Sequence, residues 1–298
     1  MPRVAVLIPC LNEESSISTV IEDFRRALPE ARILVFDNGS SDHTVQRARE
    51  HGAEVSLVTE RGKGNVVRRA FADVESDVYV LVDGDDTYDA SIAPTMVGLV
   101  IQNKVDLVTA ARQYAPDSKQ TRTGHQFGNT SISRLVRLLF RSSEPDVLSG
   151  YRAMSRRFVK SFPTTANGFE IEVQLTAHAS LLRVQTSTVT GLYRERINGR
   201  SKLKTIKDGR KIVFSILRIY RGYAPSRFFG SFSLIACAAG FAPFMLTTRG
   251  ELSSLVVAGL LWIASIILLV VGIVLNGISR IQYQQLRLAF LSQSDEGV

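Results

Sequence analysis

The chain has 298 residues and a formal net charge of +8, room for one large domain or a domain with an appendage. Its two cysteines, Cys10 and Cys237, lie far apart and imply no disulfide. The average composition hides a division: residues 1 to about 225 are mixed and globular in character, and the remainder is apolar.

Met1-Pro2-Arg3 leads directly into an apolar run, Val4 to Ile8, so a first strand and no signal peptide are expected. Pro9 and Asn12 come next, then a helical pattern from Glu14 to Ala27. Ile33 to Phe36 reads as a second strand, ending at Asp37-Asn38-Gly39-Ser40-Ser41-Asp42. Those turn residues permit unusual backbone angles, and Ser41 or Asp42 can cap the next helix. A third strand, Val55 to Val58, leads through Arg61-Gly62-Lys63-Gly64 to a helix from about Asn65 to Val74. Val78 to Val82 is the fourth strand; a helix near Ser91 to Gln102 separates it from the fifth, Asp106 to Ala111. Strand alternating with helix at this spacing gives an α/β fold with a mainly parallel sheet covered on both faces.

The fourth strand is the most informative. VYVLV has almost no polar side chain, as expected of a strand buried on both faces of a parallel sheet. It runs into Asp83, Asp85 and Asp86, at the strand end beyond which ligands of open α/β sheets lie. Crowded carboxylates repel unless a cation sits between them. A hard divalent ion held by one or two carboxylates and substrate phosphates is the expected answer.

The apolar end contains two charge-free runs, Phe228 to Thr248 and Leu252 to Ser279, each long enough to cross a bilayer as a helix. The short link around Arg249-Gly250-Glu251 makes them an antiparallel hairpin. Arg218, Arg221 and Arg227 precede it and Arg280 and Arg287 come after it, whereas the link carries one Arg. The positive-inside rule then places the N-terminal domain and the tail in the cytoplasm, with the chain multi-pass in the cell (inner or plasma) membrane. Expected boundaries are 1–205 for the globular domain, 206–227 for a basic juxtamembrane helical segment, 228–279 for the two spans and 280–298 for a tail. Between Arg194 and Arg227 there are eleven Lys or Arg against Glu195 and Asp208. Beside a membrane hairpin, such a stretch favours anionic headgroups or a phosphorylated lipid over nucleic acid.

Two nucleotide folds are excluded. No G-x-G-x-x-G comes after the first strand, and no G-x-x-x-x-G-K-[ST] is present. The motifs that are present, in their order, carry a resemblance. They are IPCLNEE (Ile8 to Glu14), DNGSSDHT (Asp37 to Thr44), RGKGNVVRRAF (Arg61 to Phe71), VDGDDTYDA (Val82 to Ala90), PDVLSGYRAMSRR (Pro145 to Arg157), NGFEIEVQL (Asn167 to Leu175) and RERINGRSKL (Arg194 to Leu203). Together they resemble the family 2 glycosyltransferases of the GT-A fold. Within that family the chain looks most like the polyprenyl-phosphate hexosyltransferases, the dolichol-phosphate mannose synthase group, and its hairpin is similar to that of the bacterial polyprenyl-phosphate glucosyltransferases.

The resemblance implies roles. Asp37, with Pro9 and Glu13, is expected to form the nucleotide pocket. Asp83 and Asp85 match the family's DXD motif and are expected to hold Mg2+ or Mn2+. Relatives commonly read Asp-Ala-Asp, so Gly84 and the adjoining Asp86 leave open which of Asp85 and Asp86 is the closer ligand. Arg61 and Lys63 would contact the nucleotide. Arg112, Arg196 and Lys202 would bind the acceptor phosphate through charge-assisted bonds. Asp146 matches an acidic position near the sugar, so Asp85, Asp146 and Arg196 are the expected catalytic set; Glu172 is a weaker candidate. The four histidines show no ligand spacing and read as surface or helix residues.

The expected activity is inverting transfer of a hexose from a nucleotide sugar, a UDP-sugar by analogy with the hairpin enzymes, to a polyprenyl phosphate lipid. A GDP-mannose-dependent mannose synthase and a non-catalytic nucleotide-sugar-binding scaffold are the alternatives. Hairpin spans can also pack against each other, which would make a homo-oligomer. A processive polysaccharide synthase would need Gln-x-x-Arg-Trp, and the one tryptophan, Trp262, lies in a span.

Overall fold

The computed structural model describes residues 2–102, 105–114, 123–163, 166–168, 170–194, 196, 207–246 and 252–293. The chain divides into two compact units, one of residues up to Ile216 together with those from Leu286 onward, the other of Leu217–Gln285.

In the first unit, β1 (Val4–Cys10), β2 (Arg32–Asp37), β3 (Glu54–Leu57), β4 (Val78–Leu81), β5 (Leu107–Tyr114), β6 (Arg152–Ser155) and β7 (Thr186–Tyr193) form a sheet of order β3-β2-β1-β4-β6-β5-β7. Strand β1 pairs parallel with β2 and β4, β2 with β3, and β5 with β7; among the described strands only β6 is antiparallel, to β4 and β5. The sheet is therefore mostly parallel, in an α/β fold of the GT-A type. β6 and β7 lie beyond the strands expected from sequence.

Helices α1 (Ile17–Ala27), α2 (Thr44–Glu50), α3 (Lys63–Asp73) and α4 (Ala93–Gln102) fill the crossovers, and α5 (Thr123–Phe140), α6 (Arg156–Lys160) and α7 (Ile171–Leu182) come after them. The first of these shows why. Its buried residues Ile17, Val20, Ile21 and Phe24 recur at i, i+3, i+4 and i+7, one face of a helix laid on the sheet. It starts at Ile17, later than the pattern from Glu14 suggested, because Glu13 to Ser16 form a hydrogen-bonded turn instead. Val6, Ile8, Val35, Val80 and Val108 supply the sheet's share of the core.

Helices α8 (Lys207–Tyr223), α9 (Pro225–Leu246) and α10 (Leu252–Ser292) complete the chain. The second unit pairs α9 with α10 in antiparallel order. Ser226 meets Asn276, Ser233 meets Ser265 and Cys237 meets Trp262. Each serine of the middle pair donates its hydroxyl to the other's carbonyl, at 2.8 and 2.9 Å. The outward faces are apolar and open: Leu234 is 73% exposed and Leu260 62%. Buried core helices of a water-soluble domain would not present such faces to water, whereas spans of a bilayer would. α9 and α10 are long and apolar enough to cross a membrane. α10 continues past Ser279 into the segment expected as a tail and runs 41 residues, or about 60 Å.

Candidate functional site

The parallel register brings the predicted residues to one sheet edge. Cys10 lies opposite Asp37, and Pro9 opposite Phe36, at the carboxyl ends of β1 and β2. Val82 donates its N–H to Leu7 O, carrying β4 to the same edge before the chain breaks away at Asp83. Pro9, Glu13, Asp37, Asp83 and Asp85 thus converge where an open α/β sheet binds its ligand.

The loops here are stitched together. Asp37 is buried and accepts the backbone N–H groups of Gly39 and Ser40 and the Ser40 hydroxyl, so its carboxylate shapes its own turn. Asn38 donates to Val58 O and Glu60 O and accepts from Gly62 N, tying the end of β2 to the loop before α3. Arg61 lies over Gly39, whose φ of +79° suits glycine; a Cβ there would stand 3.4 Å from the Arg61 guanidinium carbon. Asp42 rather than Ser41 organises the start of α2, accepting from Thr44 N.

Lys63 opens α3 and enters the site between two carboxylates. Its Nζ is 2.5 Å from Asp83 Oδ1 and 2.6 Å from Glu172 Oε1. The flanking glycines allow this approach. A Cβ on Gly62 would run into Asn167 O, one on Gly64 into Ala166 O, and one on Gly150 into Asp83. Burial works against the charge on Lys63, but Asp83 and Glu172 outweigh it and raise its pKa. Glu172, buried in the first turn of α7, has its pKa pushed up by burial, and its Oε2 has no hydrogen-bond partner.

Arg196 provides the second cationic contact. One amino group lies 2.6 Å from Asp85 Oδ2 and 3.2 Å from Glu13 Oε1, while its buried Nε lacks a partner. Burial opposes its charge; Asp85 and Glu13, with Asp83 farther off, raise its pKa overall. Thr87 donates to Asp85 Oδ1 at 2.6 Å and fixes that carboxylate's orientation. Asp86, at φ +57°, turns to Arg194 at 3.7 Å; burial raises its pKa. Asp85, not Asp86, shares the cationic environment of Asp83.

On the other side of the site Arg112 and Asp146 form a closed pair. Arg112 Nε and an amino group each reach Asp146 at 2.7 Å, and the Arg112 backbone N–H adds a third bond. The guanidinium also lies 5.5 Å from the centre of the Tyr193 ring, which packs edge-on against Tyr88 and Tyr114. Gly150 N donates to Tyr88 Oη, which holds the Ser149–Gly150 turn beside the acidic loop. Asp146 is thus oriented by Arg112. Of the donors expected for an acceptor phosphate, Arg112 already serves Asp146 and Arg196 already serves Asp85. Lys202 lies outside the described residues.

The links made by Arg152 are not among the sequence expectations. Arg152 is fully buried, 3.3 Å from Glu144, and donates to Ser149 O, Val147 O, Glu172 O and Thr176 Oγ1. It joins the loop carrying Asp146 to the helix carrying Glu172. His178, expected at the surface or on a helix, is a helix residue buried against Phe158 and Phe162. Ser161 Oγ lies 3.1 Å from its Nε2, and burial lowers its pKa to about 3. His43 and His51 sit beside Glu14 and Glu22; the His125 side chain lies outside the described residues.

The acidic pair suits a divalent ion. In these ion pairs four carboxylates, Glu13, Asp83, Asp85 and Glu172, share the two cations Lys63 and Arg196, so the cluster carries a formal excess of carboxylates. Among the described residues no three His, Cys, Asp or Glu side chains form a metal cluster.

The sequence profile of "Glycosyl transferase family 2" matches residues 5–162. The glycosyltransferase AglJ of Haloferax volcanii is 30% identical over 239 residues, 80% of this chain and 78% of that protein. A dolichyl-phosphate hexose transferase of the same organism is 29% identical over 216 residues, 72% of this chain and 93% of that protein. Glucosyl-3-phosphoglycerate synthase from Mycobacterium tuberculosis superposes with a TM-score of 0.59 at 24% identity, over 74% of this chain and 80% of that one, a likeness of fold. A mostly parallel sheet, an acidic turn at its ligand-binding edge and a profile spanning half of the sequence agree: the chain belongs to glycosyl transferase family 2.

Proposed function

We propose that the protein transfers a hexose from a nucleotide-diphosphate sugar, a UDP-sugar in the first instance, to polyprenyl phosphate at the cytoplasmic face of the membrane, with inversion at C1. The observation that carries this reading is the meeting of Asp83 and Asp85 with Lys63 and Arg196 at the sheet edge. Such a site offers two carboxylates to a metal and two cations to phosphates. The name of the dolichyl-phosphate hexose transferase supports the acceptor class, and the two apolar helices would keep the site near a lipid that cannot leave the bilayer.

Asp83 and Asp85 would hold Mg2+ or Mn2+, which when bound offsets the charge developing on the departing diphosphate. Arg196, with a buried Nε aimed at no partner, is suited to a phosphate oxygen. Arg112 keeps Asp146 in one orientation for the sugar hydroxyls or the acceptor. The acceptor phosphate is ionised at neutral pH, so a strong general base is not required.

The test is an assay of labelled UDP- and GDP-sugars with membranes containing polyprenyl phosphate and Mg2+ or Mn2+. Lipid-linked sugar should form with one donor, and Asp85→Ala should lower the rate by about 100-fold, the scale for losing a transition-state charge contact. Product from no donor, or full activity in Asp85→Ala, would overturn the reading.

A further inference from the structure

We propose that Lys63 is an internal counter-ion of the metal subsite, holding Asp83 until a nucleoside diphosphate arrives with a divalent ion, and that Glu172 is the positioning residue that retains the displaced lysine. The proposal rests on the metal and donor reading above.

Three observations carry it. First, the carboxylates Asp83 and Glu172, both paired with Lys63, differ in access. The Asp83 side chain is 30% exposed and that of Glu172 only 5%. A ligand can reach the first carboxylate and not the second, so the lysine can yield Asp83 and keep Glu172. Second, Glu172 Oε2 is buried without a partner. A buried carboxylate oxygen left unpaired is costly, and an ammonium leaving Asp83 can satisfy it while still touching Oε1. Third, Gly150 leaves the lysine room. A side chain there would begin 3.0 Å from Nζ and press on Asp83.

The electrostatics give the order of events. A divalent ion arriving alone at Asp83 meets the ammonium of Lys63, and the two cations repel. A diphosphate would bring enough negative charge to hold both: Asp83 and Asp85 would take the ion, and a phosphate oxygen would take the lysine. Metal binding is then conditional on nucleotide, a coupling that works equally in both directions.

The experiment uses the full chain in detergent, with Mn2+ binding read by electron paramagnetic resonance and thermal melting, with and without UDP or GDP. Wild type should bind Mn2+ about tenfold or more tighter with nucleotide than without, given the strength of such charge contacts. Lys63→Met should bind Mn2+ alone about tenfold tighter than wild type does, and Mn2+ alone should raise its melting temperature. Glu172→Gln should shift the other way, weakening Mn2+ binding in the presence of nucleotide, because the lysine loses the charge of Glu172 and holds Asp83 more tightly. This second variant decides the matter where Lys63→Met does not fold. Nucleotide-dependent Mn2+ binding in wild type with unchanged Mn2+ affinity in Lys63→Met, or in Glu172→Gln, would overturn the counter-ion role while leaving the enzymatic reading intact. Failure of wild type to bind Mn2+ with either nucleotide would remove that reading and this proposal with it.

Discussion

Gly84 shows how one missing methyl group can be decided by a neighbouring strand. A Cβ at position 84 would lie 2.5 Å from Cys10 Sγ and 3.4 Å from Ile8 Cγ2. Where the family pattern commonly carries alanine between the two acids, this chain fills the same space with sulfur. Gly84→Ala should therefore be destabilising by about 1–3 kcal/mol, the cost of overpacking a close-packed site. Adding Cys10→Ala should recover more than half of that loss, since it opens the volume the methyl needs. Thermal melting of both single variants and the double one forms the cycle. A Gly84→Ala protein as stable as wild type would show that Cys10 does not set the residue at 84. At this scale the gathering of the candidate residues at one sheet edge was readable. Asp83 and Asp85 stand out because an apolar strand ends in acids, and Pro9, Glu13 and Asp37 fit the rule for parallel sheet edges. The orientation of Asp86 was not readable, since it depends on a left-handed backbone and on Arg194, which is distant in sequence.

Among elements, the contact between the loop before β6 and the start of α7 depends on Arg152. Its four hydrogen-bond acceptors and Glu144 lie on both sides of that contact, all of it buried. Removing one member of a buried ion pair costs about 3–5 kcal/mol, whereas replacing both by apolar residues of similar volume is often near neutral. Arg152→Met should then lower the melting temperature by roughly 10 °C, given a few degrees per kcal/mol for a unit of this size. Arg152→Met with Glu144→Met should melt closer to wild type. A double variant no better than the single one would show that the bonds to backbone, not the ion pair, hold the contact. β6 was missed because Arg-Ala-Met-Ser has neither β-branched residues nor alternation, and its strand character comes from pairing with β4 and β5. β7 could have been found: Thr186 to Val189 carries three β-branched residues. Glu172 reads as an ordinary helix-start acid until the fold brings Lys63 to it.

For the whole molecule, the location of the last turns of α10 constrains the membrane topology. Residues from Leu286 onward belong to the first unit. There Gln293 accepts a hydrogen bond from Arg156 at 2.5 Å, and Arg157 lies 4.8 Å from the centre of the Phe290 ring. The chain leaves this unit within α8, after Ile216, and re-enters it within α10, at Leu286, so an even number of crossings is expected for a chain anchored through α9 and α10. Two helices long and apolar enough to span meet that condition. The arginines on the flanks outnumber the single Arg249 of the link, a bias that favours flanks in the cytoplasm. Reporters fused before Met1 and after Val298 should both read as cytoplasmic, and one inserted between Thr247 and Gly250 as external. Opposite readings at the two termini would mean that only one helix crosses. It would also mean that the contacts of Gln293 and Phe290 with the first unit do not form in the membrane, because a segment on the far side of a bilayer cannot reach Arg156 or Arg157.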